Sequence, residues 1–304
     1  MSPTLVLPLI SFRAIAPGMA LAATACLLLL LDLLPTRGRK DHLAVVGLAG
    51  VVLSMILSLG LWGSDERAFN GMVRLDGFAL FFNLVIGFAT GLVLLLSIDY
   101  LRRQGMESGE FYILVLFSAV GMTLMAGAGD LIVIFLGLEV MSLSLYVLAG
   151  WFEGRLEAGE ASMKYFLLGA FASGFFLYGI ALIFGATGST NLDRIAVAVA
   201  GGAARDPLLI IGFGLLVVGF GFKISSVPFH MWTADVYQGA PTSVTALIAT
   251  GSKAAAFAAL LRVLLSALRT VQPDWSVLFW GLAVLSMTTG NVVALAQQNI
   301  KRML

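Results

Sequence analysis

Nine long apolar runs constrain the fold of this chain more than any other feature. A helix needs about 20 mostly apolar residues to cross a bilayer, whereas a tilted barrel strand needs about half as many and alternates in polarity. The runs are continuous and have the helical length, so they predict an all-α polytopic membrane protein. They lie at 14–34, 43–62, 78–98, 111–128, 131–151, 161–185, 207–224, 241–266 and 275–296.

The composition excludes several classes of protein. Of the 304 residues, 60% are hydrophobic and 12% are charged, against roughly 45–50% and about 25% in soluble domains. A soluble enzyme and a disordered chain are therefore excluded. The chain has 18 Lys+Arg and 17 Asp+Glu, a net charge of +1. With no basic surplus to hold a phosphate backbone, we expect lipid and not nucleic acid as a partner.

The cysteines and histidines are too few for a redox centre. Cys26 alone cannot hold an iron–sulfur cluster or a closed zinc site. Two histidines, His42 and His230, cannot ligate several haems. We expect no cofactor and no metal bound to this chain.

The connections between the runs are short, which predicts one compact bundle without a soluble domain. The longest connection is 186–206. The first run has no cleavage site after it and is expected to be a retained helix. Loop Lys and Arg weakly favour an external N-terminus, because cytoplasmic loops are enriched in them. That orientation places Arg37, Arg39, Lys40, Arg102, Arg103, Arg155, Lys301 and Arg302 inside, and Arg13, Arg67, Arg74, Arg194, Arg205 and Arg269 outside.

Residues 207–240 predict a broken helix. An apolar run reaches Lys223 and then meets Ser225, Ser226 and Pro228. Proline lacks a backbone donor and clashes with the preceding turn, so the helix should break between Lys223 and His230. Irregular backbone at membrane depth is tolerated where it is buried in protein or lines a water-filled cavity, and transporters build ion sites from broken helices.

Two ionisable side chains lie deep in the apolar runs. Charges within a bilayer are costly and usually functional. Glu139 lies about 12 Å into its run, near the midplane. It is either a neutral carboxyl bonded to Ser142 on the same helical face or a functional acid, and the functional interpretation is favoured. Lys253 lies about 18 Å into its run among small residues that leave room for water. A buried lysine that gains and loses its proton can carry protons.

Four further side chains allow two interpretations each. Lys223 is either a snorkelling lysine at a membrane edge or a site residue beside the break. Lys164 is either interfacial or part of the same site, and His230 either a satisfied core histidine or a proton-transfer group. Arg262 is expected to be mainly an interfacial anchor. If Lys223 lies near Glu139, each charge stabilises the other, and separating the two would push the Lys223 proton onward.

Four stretches resemble one family. Residues 222–242, which read FKISSVPFHMWTADVYQGAPT, resemble the broken seventh helix of the subunit N family of bacterial NADH–quinone oxidoreductase, respiratory complex I. Residues 137–143 resemble its fifth-helix glutamate motif, 164–170 its sixth helix and 251–254 its eighth-helix lysine motif. The stretch 236–241 favours subunit N over the related subunits L and M and over multisubunit cation–proton antiporters.

The resemblance implies an antiporter-like bundle with inverted five-helix repeats. Residues 1–110 would form three N-terminal transmembrane helices. Residues 111–266 would form the first repeat, with its broken helix at 207–240. Residues 275–304 would begin a second repeat that is incomplete here, and the family's output-side lysine would follow it.

The resemblance also implies roles and partners. Glu139 and Lys223 would be the input-side pair, Lys253 the central lysine and Lys164 an auxiliary charge. Proton translocation would be coupled to quinone reduction, with NADH, FMN, iron–sulfur clusters and quinone held in partner subunits of complex I in a bacterial inner membrane. The alternatives are a cation–proton antiporter subunit of the same fold and an inactive structural membrane subunit.

Overall fold

The computed structural model describes residues 11–34 and 40–304. Within these residues, nine helices are long and apolar enough to cross a membrane, so the prediction of nine spans is confirmed. They are α1 (Ala16–Asp32), α2 (Asp41–Gly60), α3 (Gly77–Gln104), α4 (Gly109–Ala126), α5 (Leu131–Ala149), α6 (Leu156–Thr187), α8 (Pro207–Ile224), α10 (Thr242–Ala267) and α11 (Gln272–Leu295).

Short elements fill the connections. An antiparallel hairpin of β1 (Glu66–Ala68) and β2 (Val73–Leu75) joins α2 to α3. The sequence analysis treated 186–206 as a plain connection, but it contains the amphipathic helix α7 (Leu192–Ala200), whose buried side chains are Leu192, Ile195 and Val199. The remaining short helices are α9 (Thr233–Gly239) and α12 (Ile300–Met303).

The centre of the bundle is α4, which packs against α1, α3, α5 and α10. Most of its side chains are buried. At the other extreme, α11 has no buried residue. The second half of the bundle is built on the long helix α6, which packs along α8 and also against α5 and α9.

The broken helix is confirmed. The helix α8 ends at Ile224, and Ser225 has a left-handed backbone with φ of 60°. Turns follow through residues 226–232, including a cis peptide bond before Pro228. The chain becomes helical again at Thr233. The backbone from Ser225 to Trp232 is therefore irregular at the end of an apolar span.

Ion pairs join loop residues at both ends of the bundle. At one end Arg102 pairs with Asp41 at 2.6 Å. At the other, Arg67 and Arg74 both pair with Asp193, at 2.6 Å and 2.5 Å. Arg37 and Arg39 lie outside the described residues. Which end faces outside stays a prediction.

The close packing of α6 on α8 depends on two glycines. A Cβ at Gly212 would lie 2.9 Å from the carbonyl oxygen of Gly179, and a Cβ at Gly179 would lie 2.7 Å from the carbonyl oxygen of Gly212. Small residues let membrane helices approach until their backbones touch, because packing and not hydrophobic burial drives their association.

We expect Gly212→Ala to destabilise the protein by about 1–3 kcal/mol, because the new methyl group must displace backbone. Gly214→Ala is the matched control, since a Cβ at Gly214 has nothing within 4 Å. Thermal unfolding of the solubilised protein measures both. A transition temperature for Gly212→Ala equal to that of Gly214→Ala would contradict this account of the packing.

Candidate functional site

Glu139 lies in the middle of α5 and is half-buried. Ser142 is not the partner of Glu139, because the Ser142 hydroxyl donates to the carbonyl of Leu138, one turn back. Serine in a helix commonly makes this i−4 bond. The partner of Glu139 comes from the neighbouring helix α6, where the Ser173 hydroxyl donates to Oε1 of Glu139.

Lys223 is buried, with 2% of its surface exposed, so it does not snorkel to a membrane edge. Its ammonium lies 5.3 Å from the ring centroid of Tyr146 and 5.0 Å from that of Tyr165. The Tyr165 hydroxyl is its hydrogen-bond partner, at 3.5 Å. No carboxylate in the described part of the chain lies within ion-pair distance of Lys223. Aromatic faces and one hydroxyl replace the water around this charge.

A narrow crevice is lined by Ser173, which bonds Glu139, and by Lys223. Glu139 and Lys223 form no ion pair with each other in the described part of the chain. Ser173 thus links the acid to the crevice that the lysine lines. The other residues lining the crevice are Leu138, Gly169, Ala172, Phe176, Gly219 and Phe222.

Trp232 holds the broken segment against the site. Its indole N–H donates to the carbonyl of Phe222 at 3.1 Å, so it satisfies a carbonyl near the end of α8. Its ring stacks on Tyr165 with centroids 4.5 Å apart and an interplanar angle of 10°.

His230 lies within the break and is half-buried. Its Nδ1 is buried and has no hydrogen-bond partner among residues 11–34 and 40–304. Three side-chain oxygens of nearby residues are also buried without a hydrogen-bond partner in the described residues. Buried polar atoms normally bind other protein groups or ordered water. They are Ser225 Oγ, Thr233 Oγ1 and Tyr237 Oη.

Lys253 follows a π-helical turn of α10 formed by Ile248–Ser252. Such turns often occur at functional sites. Its ammonium lies 5.4 Å from the ring centroid of Tyr237. The Tyr237 ring meets Trp232 edge-on, with centroids 6.4 Å apart, and Trp232 stacks on Tyr165. Lys253 is therefore linked to the Lys223 region by ring contacts.

Lys164 lies apart from this interior group, at one end of the bundle. Its side chain is 41% exposed and pairs with Glu160 at 2.5 Å and Asp235 at 2.6 Å. Arg302 also pairs with Asp235, at 2.8 Å. The hydrogen bond from Lys164 lowers the pKa of Asp235, with help from Arg302, against a smaller opposing effect of burial. This network ties α6 to the segment after the break.

Arg262 is not an interfacial anchor, which corrects the expectation for it. The residue is buried and makes two hydrogen bonds to the Asp76 carboxylate, at 2.5 Å and 2.9 Å. It also donates to the carbonyl of Ala126 at 2.9 Å. The position of Arg262 in its apolar run did not indicate this ion pair, because Asp76 lies 186 positions away in the sequence.

The structure thus connects three of the five candidate residues. Glu139 and Lys223 are related through Ser173 and the crevice, and Lys253 through the rings of Tyr237, Trp232 and Tyr165. Lys164 and His230 make no described contact with those three. Sequence reasoning missed the side chains that surround the three residues. The tyrosines were visible as polar groups in apolar runs, but nothing in the sequence marked Ser173. The missed residues are Tyr146, Tyr165, Ser173 and Trp232.

A family model described as NADH:quinone oxidoreductase/Mrp antiporter, TM, matches residues 128–304. The chain belongs to this family. It is 49% identical over 296 residues to NADH-quinone oxidoreductase subunit N of Trichlorobacter lovleyi, covering 97% of this chain and 61% of that protein. It is 44% identical to subunit N of Chloroflexus aggregans, covering 99% and 62%. The resemblance to the subunit N family is thereby confirmed.

Among family structures, the chain matches one from respiratory complex I of Thermus thermophilus with bound aureothin. The TM-score is 0.76 and the identity 39%, covering 94% of this chain and 60% of that one. This confirms an antiporter-like helical fold. The chain spans about three fifths of the length of the curated relatives it matches. Within the described residues, no group of three or more His, Cys, Asp and Glu side chains could hold a metal ion.

Proposed function

We propose that this chain is part of subunit N of a bacterial NADH–quinone oxidoreductase and carries the input and central parts of a proton path. The observation that carries the proposal is Lys223, a buried lysine beside a broken helix. Aromatic rings lie against it, and no carboxylate of residues 11–34 and 40–304 lies at ion-pair distance. A lysine at membrane depth costs about 2.5–3.5 kcal/mol even on the gentlest scale, so it is kept for function. Identity to subunit N relatives supports the assignment.

The proposed path begins at Glu139. A negative charge on Glu139 would favour the ammonium form of Lys223, because an opposite charge stabilises a charged group. When a proton neutralises Glu139, Lys223 would release its own proton toward Lys253. The unpaired polar atoms of Ser225, His230, Thr233 and Tyr237 would bind the water that hydrates the break. Lys164 would act as an auxiliary charge at the end of the path.

The proposal includes the architecture implied by the family. Residues 111–266 would form the first of two inverted five-helix repeats, and 275–304 would begin the second. Redox cofactors and quinone would be held by partner subunits. The N-terminus would face the periplasm.

We expect Glu139→Gln, introduced into the full-length chain in its assembled complex, to lower NADH-driven proton translocation about tenfold. Glutamine keeps the acceptor for Ser173 but removes the titratable carboxyl group. The matched control is Glu110→Gln, because Glu110 is an exposed carboxylate in the first turn of α4. Assembled Glu139→Gln complex that translocates protons at the rate of the control would refute the role of Glu139.

A cation–proton antiporter subunit is the second candidate, because the family model covers both classes. Purification of the native assembly separates them. Co-purification with flavin- and cluster-bearing subunits supports the proposal, whereas an assembly without them supports the antiporter. An inactive structural subunit would tolerate Lys253→Met with no loss of proton translocation.

A further inference from the structure

Helix α12 holds the short helix α9 by its C-terminal end. The Lys301 ammonium donates to the carbonyls of Gln238 and Ala240, at 3.0 Å and 2.6 Å. The last carbonyls of a helix have no partner within the helix, and a lysine placed there satisfies them. Lys301 is half-buried, so it is not a freely moving surface side chain.

Arg302 binds side chains of the same helix. Its Nη1 donates to Asp235 at 2.8 Å and to the side-chain oxygen of Gln238 at 2.7 Å. Helix α9 has seven residues. A helix this short is marginal on its own, so its position depends on such contacts.

A contact from α11 holds the other end of the broken segment. The Ser286 hydroxyl oxygen accepts from the backbone N–H of Val227 at 3.0 Å. Helix α11 has no buried residue, so hydrogen bonds and not apolar burial fix it to the break. Helices α11 and α12 together therefore contact the broken segment at its start, Val227, and at its end, Ala240.

Helix α9 carries an aromatic ring of the candidate site. The Tyr237 ring centroid lies 5.4 Å from the ammonium of Lys253. The Tyr237 carbonyl accepts from the Thr245 hydroxyl at 3.0 Å, which ties α9 to α10. Tyr237 directly precedes Gln238, so a displacement of the end of α9 would move this ring relative to Lys253.

We propose that Lys301 and Arg302 are positioning residues that fix α9, and that with Ser286 they couple α11 and α12 to the broken helix. They keep the Tyr237 ring against Lys253. The consequence for Lys253 rests on the proposed function, whereas the hold on α9 does not.

Hydrogen exchange of the assembled complex with the full-length chain tests the hold on α9. We expect the amides of residues 233–240 to exchange about tenfold faster in Lys301→Met, because losing charge-assisted hydrogen bonds favours local opening. Lys301→Arg keeps donors for both carbonyls and should exchange like the native chain. Lys40→Met is the matched control, because Lys40 pairs with Asp32 where α2 begins. Exchange in Lys301→Met equal to that of the control would overturn the proposal.

Proton translocation tests the consequence for the site. We expect NADH-driven translocation to fall about tenfold in Lys301→Met, since small misplacements far from the chemistry can cost this much. Lys301→Arg should restore it. Arginine stays charged and cannot release a proton, so recovery shows that position 301 acts by positioning. An arginine variant with native exchange but without recovery would overturn that role.

Ser286→Ala keeps the proposal falsifiable if Lys301→Met does not assemble. The amides of residues 225–232 should exchange faster than in Ser276→Ala, whose serine is exposed on the same helix and bonds within it. Equal exchange in the two variants would show that α11 does not hold the break.

Failure of this inference is distinguishable from failure of the proposed function. If Lys253→Met stops proton translocation while Lys301→Met exchanges and translocates like its control, the path stands and the positioning role fails. If residues 233–240 exchange faster in Lys301→Met while Lys253→Met translocates normally, the hold on α9 stands and the proposed function fails.

Discussion

Replacing Lys223 by methionine in the full-length chain is expected to reduce quinone-coupled NADH oxidation about 100-fold, the lower range for loss of a positioned proton-transfer group. Methionine fits among the rings of Tyr146, Tyr165 and Phe222, because it is unbranched and makes favourable sulfur–aromatic contacts. The variant should therefore assemble. Only the titratable nitrogen is lost from the interior.

The control for this variant is Lys40→Met. Lys40 pairs with Asp32 at one end of the bundle, away from the proposed path. Its replacement removes a lysine and an ion pair without changing any residue of the proposed path. Coupled activity of assembled complex, measured at equal subunit content, should be normal for Lys40→Met. Normal activity for Lys223→Met as well would exclude Lys223 from proton transfer.

Asp76→Asn is expected to destabilise the bundle by about 3 kcal/mol, the lower part of the range for breaking a buried pair. The side chain of Arg262 is 4% exposed, whereas that of Asp76 is 26% exposed and partly screened by water. The Asp76 carboxylate also caps α3 by accepting from the amide of Ala79 at 2.8 Å. Asparagine caps equally well, so this variant isolates the lost charge.

The destabilisation caused by Asp76→Asn should depend on pH in a direction that follows from the pKa of Asp76. Burial alone would raise the pKa of Asp76, but the hydrogen bonds from Arg262 and Ala79 outweigh burial and lower it. A carboxylate with a lowered pKa stabilises the folded protein above its ordinary pKa and loses that contribution as the pH falls through the lowered value. The difference in thermal stability between the native chain and Asp76→Asn should therefore shrink in acid.

Thermal unfolding at neutral and acid pH measures this difference. The control is Asp65→Asn, since Asp65 is an exposed carboxylate beside the same hairpin. A transition temperature of Asp76→Asn equal to that of the control at neutral pH would show that the buried pair does not stabilise the bundle.

The sequence predicts the spans well, because apolar length is read directly from residue type. The sequence does not predict the short elements, whose formation depends on contacts with distant segments of the chain. The strands Glu66–Ala68 and Val73–Leu75 are too short for a periodic signal. The helix Leu192–Ala200 has nine residues and is marginal alone, so its apolar face against the bundle decides that it forms.

The candidate site also has a part that the sequence predicts and a part that it does not. Glu139, Lys223 and Lys253 stand out because charged residues are rare in apolar runs. The bond from Ser173 to Glu139 spans 34 positions, so the sequence offered only a local candidate partner, Ser142. Arg262 pairs with a carboxylate at the start of another helix. Such contacts between distant segments follow from helix packing, which one sequence does not specify.

The central claim is that Lys223 carries protons, and the initial rate of proton translocation into proteoliposomes tests it most directly. The reconstituted complex contains the full-length chain with either the native residue or Lys223→Met, and NADH drives it. The account predicts that translocation nearly stops in the variant while NADH oxidation by an artificial electron acceptor, a reaction of the partner subunits, is unchanged. Equal proton translocation by the two complexes would contradict the account.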